Sequence, residues 1–470
     1  MIDDYKYPQK DINDNWKIIL RNQFHDILPG SSIHEVYEDS AEEFDQVMSS
    51  GERILKDSLG ELAKNIALDG EKLVVFNPLS WSRTGWISIP WEEGLSEKIF
   101  RSEDGKKLFT KKIDSQDKKL LIYMPEIPAL GYKAFKVIKK EMEEEIIWPI
   151  RDQLIIEKDR IENKYYQIRL NKKGQIISLY DKEFQREILP KGSKANVFQT
   201  FEDRPMRFDA WDIDIYYQEK KYIIDDLVEM EIEETGPDRG VIRFKWCFLD
   251  SVIEQRMIVY TDKRRIDFET NVDWHQHQIL LKVAFPANIR STKATYEIQF
   301  GNVERPTHWN TSWDYAKFET AAQRWADLSE RNYGVSLLNN CKYGYDINGQ
   351  TLRLTLIKSG IEPDPEADQG HHSFTYSLYP HQGDWFEGET TKEAYELNYP
   401  MLATVSNNKD KEKECSLLPI SCSLVNIKAN SVILDTIKKA EDDNSLILRF
   451  YEYGNQRDTV KVELLHRIKS

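Results

Sequence analysis

Only four cysteines occur among the 470 residues, at Cys247, Cys341, Cys415 and Cys422. None stands in a Cys-x-x-Cys pair and none clusters in a short stretch, so no disulfide framework is expected and the thiols read as reduced. Long apolar runs are missing too: none approaches the roughly 18 residues of a membrane-spanning helix. The opening residues Met1, Ile2, Asp3, Asp4, Tyr5 and Lys6 hold no basic segment followed by an apolar one. The expectation is therefore a cytoplasmic protein without a membrane partner. Positive charge is not in excess, since 65 Lys and Arg face 80 Asp and Glu for a net charge of −15. An acidic surface repels phosphate backbones and anionic lipids, which argues against nucleic acid as a partner. The chain also lacks Gly-x-x-x-x-Gly-Lys, Gly-x-Gly-x-x-Gly, Gly-x-Ser-x-Gly and His-Glu-x-x-His, so nucleotide enzymes, serine hydrolases and zincin proteases have no support.

What is present points to β structure behind a helical start. The length suits roughly three domains of ordinary size. Between residues 33 and 67, apolar side chains at Ile33, Val36, Tyr37, Phe44, Val47, Met48, Ile54, Leu55, Leu59, Leu62 and Ile66 recur at spacings of three and four. That period predicts a long amphipathic helix. Ser32 with Glu35 three residues on predicts a capping box at its start. Trp16, Ile19, Leu20 and Phe24 mark a preceding helix that Pro29 and Gly30 end, leaving a sharp corner between the two.

From residue 70 onward the period shortens. Leu73 to Phe76, Trp86 to Ile89, Leu120 to Met124 and Tyr132 to Val137 are strand-length runs separated by Gly, Pro and Asp. The charged stretch 139–145 reads as a solvated linker or strand end. Beyond it, a hairpin is expected across Gly174, and alternating segments recur near residues 241–248, 253–260, 266–272 and 352–356. Many strands without intervening helices favour antiparallel sandwiches. A small sandwich is expected at the end, from the runs near residues 431–434, 446–451 and 460–465.

Three stretches could carry chemistry. The first is residues 22–32, Asn-Gln-Phe-His-Asp-Ile-Leu-Pro-Gly-Ser-Ser. His25 at a helix end can ligate a metal rigidly, with Asp26 orienting it or accepting from a substrate hydroxyl. Its bland alternative is an imidazole bonded to the last helical carbonyls. The second spans residues 201–217, where Asp209, Asp212 and Asp214 alternate with Phe208, Trp211, Tyr216 and Tyr217. Carboxylates accept paired hydroxyls while an aromatic face covers a pyranose, although a tyrosine-rich strand with exposed acids would read the same. The third is the proline-punctuated acidic stretch 363–374, with Asp368, His371 and His372. Adjacent histidines on a strand point to opposite faces, so a structured loop is favoured there over a second metal site. Aromatic residues make up 11% of the chain, 12 of them Trp and 23 Tyr; core filling accounts for most, and platforms for sugar rings would use the rest.

At these same residues the sequence resembles glycoside hydrolase family 38, the α-mannosidases, and in particular the cytosolic and bacterial type. The resemblance runs through residues 22–32, 75–81, 128–132, 208–217, 305–314, 325–330, 363–381 and 438–442. It implies a mainly β protein, in which a partial helical middle domain at 1–68 precedes antiparallel β-sandwich domains at 70–140, 150–395 and 396–470. The large one would be a galactose-mutarotase-like supersandwich. It further implies that His25 is one ligand of a zinc or other divalent metal and that Asp26 contacts the sugar. Trp211, Asp212, Asp214, Asp368 and His371 would shape the sugar pocket.

The family's catalytic barrel, with its remaining ligands, nucleophile and acid/base, has no counterpart here. No catalytic residue is therefore expected within this sequence, and the metal site would be incomplete in it. The implied activity of the complete enzyme is retaining hydrolysis of terminal α-D-mannosides in mannose-containing oligosaccharides; a split gene with a separately encoded barrel as partner, a truncated reading frame and a fragment are the alternatives for the missing barrel. The alternative is a carbohydrate-binding or scaffold protein that kept the β domains and lost catalysis.

Overall fold

The computed structural model describes residues 5–91, 95, 98–113, 118–139, 153–407 and 418–465. The charged stretch at 140–145 and Cys415 lie outside them. The chain divides into two compact units, one built from Met1–Arg21, Ala41–Pro149 and Tyr399–Ser470, the other from Asn22–Ser40 and Ile150–Asn398. Helix α1 covers Gln9–Asn22 and helix α2 covers His34–Lys64. Outside these, the described residues are dominated by strands that pair antiparallel, with one isolated parallel bridge between Ile66 and Leu418.

In the first unit, the two helical segments are tied side to side by polar contacts. Arg53 Nη2 pairs with Asp11 at 3.0 Å, Asn15 Nδ2 donates to Ser50 Oγ at 3.1 Å, and Tyr5 bonds Ser58 at 2.7 Å. Much of the apolar stripe that the helical period predicts stays open to solvent: Trp16, Leu20, Phe44, Met48 and Leu55 are all exposed. The β part begins with strand Glu71–Asn77, flanked by Leu402–Asn407 on one side and Gly131–Lys139 on the other; Ser421–Ser423 adds to the far edge. The segments 70–140 and 396–470 thus share one sheet. Arg83–Pro90, Lys119–Ile127 and Thr110–Ile113 form a second sheet, and Val75, Phe135, Ile87 and Ile122 meet in a common core.

Lys72 is completely buried, and its Nζ donates to the carbonyls of Ile66 at 2.7 Å and Leu68 at 3.3 Å. A buried ammonium is tolerable only with such acceptors. The terminal runs form two-stranded pairs, Val425–Lys428 with Lys461–Leu464 and Val432–Lys439 with Leu446–Glu452.

The second unit is a sandwich of a nine-stranded and a six-stranded sheet, with a five-stranded sheet alongside them in sequence. Alternation creates it. In Ser251–Tyr260, the side chains of Ser251, Ile253, Gln255, Met257 and Val259 are buried, while Val252, Glu254, Arg256 and Tyr260 are partly exposed. Phe268 and Tyr376 from the larger sheet meet Phe285 from the smaller at ring separations of 5.6 and 6.0 Å. Full burial of each such side chain is worth about 1.5–3 kcal/mol.

A closed polar ring sits within this core. Asn196 Nδ2 donates to Gln255 Oε1 at 2.7 Å, Gln255 Nε2 donates to Tyr376 Oη at 2.7 Å, and Tyr376 returns to Asn196 Oδ1 at 2.8 Å. With partners satisfied, these groups fix the packing instead of weakening it. The hairpin expected across Gly174 joins Tyr166–Leu170 to Ile176–Asp181, and Gly174 takes φ +76°, a left-handed conformation that favours glycine.

Candidate functional site

The corner between the helices is held by its own backbone. Beyond Asn22 the amides of Ile27 and Leu28 donate to the Phe24 carbonyl at 2.9 and 3.0 Å, and Gly30 closes the turn at φ +78°. Ser31 and Ser32 both donate their hydroxyls to the Asp26 carbonyl, at 3.3 and 2.6 Å. The Ser32 hydroxyl therefore fastens the corner and does not form the capping box expected at the start of α2. Tyr37 completes the clasp, accepting from the Ser32 amide at 2.9 Å and donating to the Ile27 carbonyl at 3.4 Å.

On this scaffold the side chains of His25 and Asp26 are 76% and 49% exposed, with Nε2 and Oδ2 3.5 Å apart. Phe24 packs its ring 4.2 Å from the imidazole. No carbonyl at the end of α1 bonds to His25, so the bland role weighed for it does not occur. Two donors do not complete a metal centre, and among the described residues no group of three or more His, Cys, Asp or Glu side chains could hold an ion.

His34, in the first turn of α2, connects this corner to the acidic loop. Its Nδ1 lies 3.0 Å from Asp364 Oδ1, and its Nε2 lies 3.7 Å from Glu366 and 3.9 Å from Glu38. The hydrogen bond to Asp364 raises the imidazole pKa above its ordinary value; desolvation opposes it as the next largest influence, and the charges of Asp364, Glu366 and Glu38 add to the rise. Asp364 itself is buried and also accepts the Glu366 amide at 2.9 Å. Nothing in the local sequence of His34 signals this role, because its partner lies 330 residues away.

The loop continues into Asp368, whose φ is +58° and whose carboxyl pKa is raised by burial. The Asp368 carbonyl is bonded to His372 Nε2 at 2.8 Å. His371 begins the long strand Gly370–Gln382 and is 90% exposed, with its Nδ1 3.7 Å from Asp273.

The aromatic and acidic stretch near residue 210 is linked to these elements. Asp209 Oδ2 accepts the Ile361 amide at 2.6 Å, which ties this loop to the one that His34 holds. Most of the stretch is loop, and a single 3₁₀ turn, Ile215–Glu219, follows Asp214. Asp214 Oδ2 accepts the Met206 amide at 2.8 Å, a bond internal to the loop. Trp211 is 60% exposed, stands 6.1 Å from the Phe208 ring, and has the exposed Asp212 beside it. The fold therefore gathers the corner, the acidic loop and the aromatic loop through His34–Asp364 and Asp209–Ile361. The side chains of His25, Asp26, Trp211, Asp212 and His371 remain open to solvent.

A buried Ser336, His381 and Asp327 cluster looks like a hydrolytic triad but cannot act as one. Ser336 Oγ at 3.1 Å and Asp327 Oδ2 at 2.8 Å both address the same Nε2 of His381, and all three residues are at most 1% exposed. A triad needs its base to contact nucleophile and orienter through different ring nitrogens.

Known proteins share this organisation. Residues 1–62 match the alpha mannosidase middle domain, 161–366 the glycosyl hydrolases family 38 C-terminal domain, and 431–470 the family 38 C-terminal beta sandwich domain. The human protein named alpha-mannosidase 2C1 is 31% identical over 97% of this chain, and alpha-mannosidase G of Dictyostelium discoideum is 33% identical over 93%. This chain spans 41% and 42% of their respective lengths. The crystal structure of an alpha-mannosidase from Enterococcus faecalis V583 shares the fold at TM-score 0.79 and 16% identity, covering 97% of this chain and 60% of that one. With its helical start, large sandwich and terminal strands matched in order, the chain belongs to glycosyl hydrolase family 38.

Proposed function

We propose that this chain supplies the middle and C-terminal segments of an α-mannosidase that hydrolyses terminal α-D-mannosides by a retaining route, in the catabolism of mannose-containing oligosaccharides. The observation that carries this reading is the continuous similarity to proteins named alpha-mannosidase over 97% of the chain. In a retaining glycosidase one carboxylate attacks the anomeric carbon while a carboxylic acid protonates the leaving oxygen, the pair standing about 5–5.5 Å apart. Neither role falls to a residue of this sequence; a family 38 catalytic barrel would provide them.

The corner would meet the substrate. His25 would be one ligand of a divalent metal such as zinc, and Asp26 would accept a sugar hydroxyl. The described residues alone do not satisfy a metal, so the other ligands would come from elsewhere. Trp211 offers an exposed ring for a pyranose face, Asp212 a carboxylate beside it, and Asp214 fixes the loop that carries both. Asp368 and His371 would border the pocket from the acidic loop and the strand that follows it. The exposed stripe of Trp16, Leu20, Phe44 and Met48 supports docking against further polypeptide, because such apolar contiguity is uncommon on a surface that faces only water.

A cytoplasmic setting agrees with Cys247, Cys341 and Cys422 being free thiols. No described helix is long and apolar enough to cross a membrane.

The test is turnover of an aryl α-mannoside with added zinc. The purified chain is expected to be silent alone and active when a polypeptide carrying a family 38 barrel is supplied; robust turnover by the chain alone would refute the assignment of chemistry to the barrel. The exposed Phe208 and Trp211 pair also favours a second reading, a carbohydrate-binding protein without catalysis. Under that reading, calorimetry with manno-oligosaccharides detects binding while the supplemented assay stays silent.

A further inference from the structure

The outer face of the six-stranded sheet carries a depression of about 500 Å³. Its floor is set by strand register. Ala284 sits between Val197 on one neighbouring strand and Arg353 on the other, and the small side chain leaves a hollow between two larger ones. One row along, Gln199 stands opposite Lys282. Lys194 and Lys221 rise at the rim, so three cations converge on one hollow.

No carboxylate lines this hollow, although the chain as a whole has a net charge of −15. Neither rim lysine is ion-paired among the described residues. Arg353 is anchored from behind, where its Nε donates to Asp346 Oδ1 at 2.7 Å. The other oxygen of Asp346 accepts from the buried Lys282 at 2.7 Å, and Glu319 holds that lysine from a second side. The guanidinium is therefore fixed at its Nε edge while its Nη groups bond to no described protein acceptor. An oriented guanidinium of this kind matches a carboxylate or phosphate.

Gln199 supplies a different requirement. Its Oε1 is buried and has no hydrogen-bond donor. A buried acceptor without a partner costs about 1–3 kcal/mol; Gln199 lines the hollow, and a turn of its side-chain amide would bring Oε1 to a ligand hydroxyl. Donors for an anion, an acceptor for a hydroxyl and the apolar floor of Val197 and Ala284 lie together in a volume within the range of small-ligand sites.

We propose that this hollow binds a sugar bearing an anionic group, a sugar phosphate or a sugar acid. The anion faces Lys194, Lys221 and Arg353, and a ring hydroxyl donates to Gln199. This site does not depend on the mannosidase reading, since every residue in it is present in this chain.

The test is calorimetric titration of the full chain at low salt with mannose 6-phosphate, glucuronate, methyl mannoside and inorganic phosphate. At least one charged sugar is expected to bind with a millimolar or tighter Kd; which one binds distinguishes phosphate from carboxylate. The Lys194→Glu/Lys221→Glu variant changes only exposed side chains, so it should keep its thermal midpoint. It should lose roughly tenfold in affinity, equivalent to about 1.4 kcal/mol. Gln199→Leu should weaken the charged sugar and leave inorganic phosphate unchanged. Failure of both charged sugars to bind at about 10 mM, some 2.7 kcal/mol weaker than a 100 μM site, overturns the proposal. So does equal affinity for inorganic phosphate or methyl mannoside, or affinity that survives both charge reversals.

Discussion

His34 shows how one side chain can join segments far apart in the chain. Its hydrogen bond to Asp364 holds the acidic loop against the start of α2, and the same bond raises its pKa above the ordinary 6.5. A raised folded-state pKa has one sign. The charged form is favoured by the fold, so its contribution is fully present below the unfolded value and is lost as pH rises through the folded one. Hydrogen exchange at the amides of loop 361–369 should therefore be slowest in mild acid and quicken as pH passes above 6.5, beyond the intrinsic pH dependence of exchange. The variant His34→Leu should remove that excess. A loop whose corrected exchange is the same in both proteins across this range would refute the pin. The exposure of His34 means that the effect is local, and no global shift in stability is expected from it.

Elements in this protein are joined by close backbone approaches as much as by side chains. Gly131 begins the strand Gly131–Lys139, and a Cβ there would stand 2.0 Å from the Cys422 carbonyl oxygen. Neither atom can move away cheaply, because Tyr132 and Cys422 are paired in the same sheet. Gly131→Ala is expected to release Ser421–Ser423 from the sheet and cost about 1–3 kcal/mol, the usual range for overpacking. Limited proteolysis with urea denaturation would read both effects, and an unchanged cleavage pattern would show that the sheet edge tolerates the methyl group. At this scale the periodicity of the sequence was informative. The hairpin around Gly174 and the strands Arg239–Phe248 and Ser251–Tyr260 lie where alternation puts them. The capping box at Ser32 does not form because α2 begins only at His34, which leaves Ser32 a residue before the N-cap position, with its hydroxyl turned to the Asp26 carbonyl at 2.6 Å.

For the whole molecule, the most consequential surface is the uncovered apolar stripe of the helical segments. Helical spacing predicts that Trp16, Leu20, Phe44, Met48 and Leu55 face a core, yet they are 43–60% exposed. The purified chain should accordingly self-associate or bind an apolar dye. The double variant Leu20→Lys/Met48→Lys should reduce both without lowering the melting temperature, because these side chains contribute little burial to the described fold. A fall of several degrees would mean that the stripe is already packed in solution.

Composition and alternation alone determined that the chain is a mainly antiparallel β protein behind two helices, because a side-chain period of two or of 3.6 residues is a local property. The same linear reading singled out three stretches, around His25, Trp211 and Asp368. Tertiary structure decided that these stretches are linked, through His34 with Asp364 and Asp209 with Ile361, contacts that span 330 and 152 residues. It also decided that Gln199, Arg353 and two lysines meet in one hollow. No spacing along the chain encodes those meetings; they follow from strand order and register, which are set only when the sheets form.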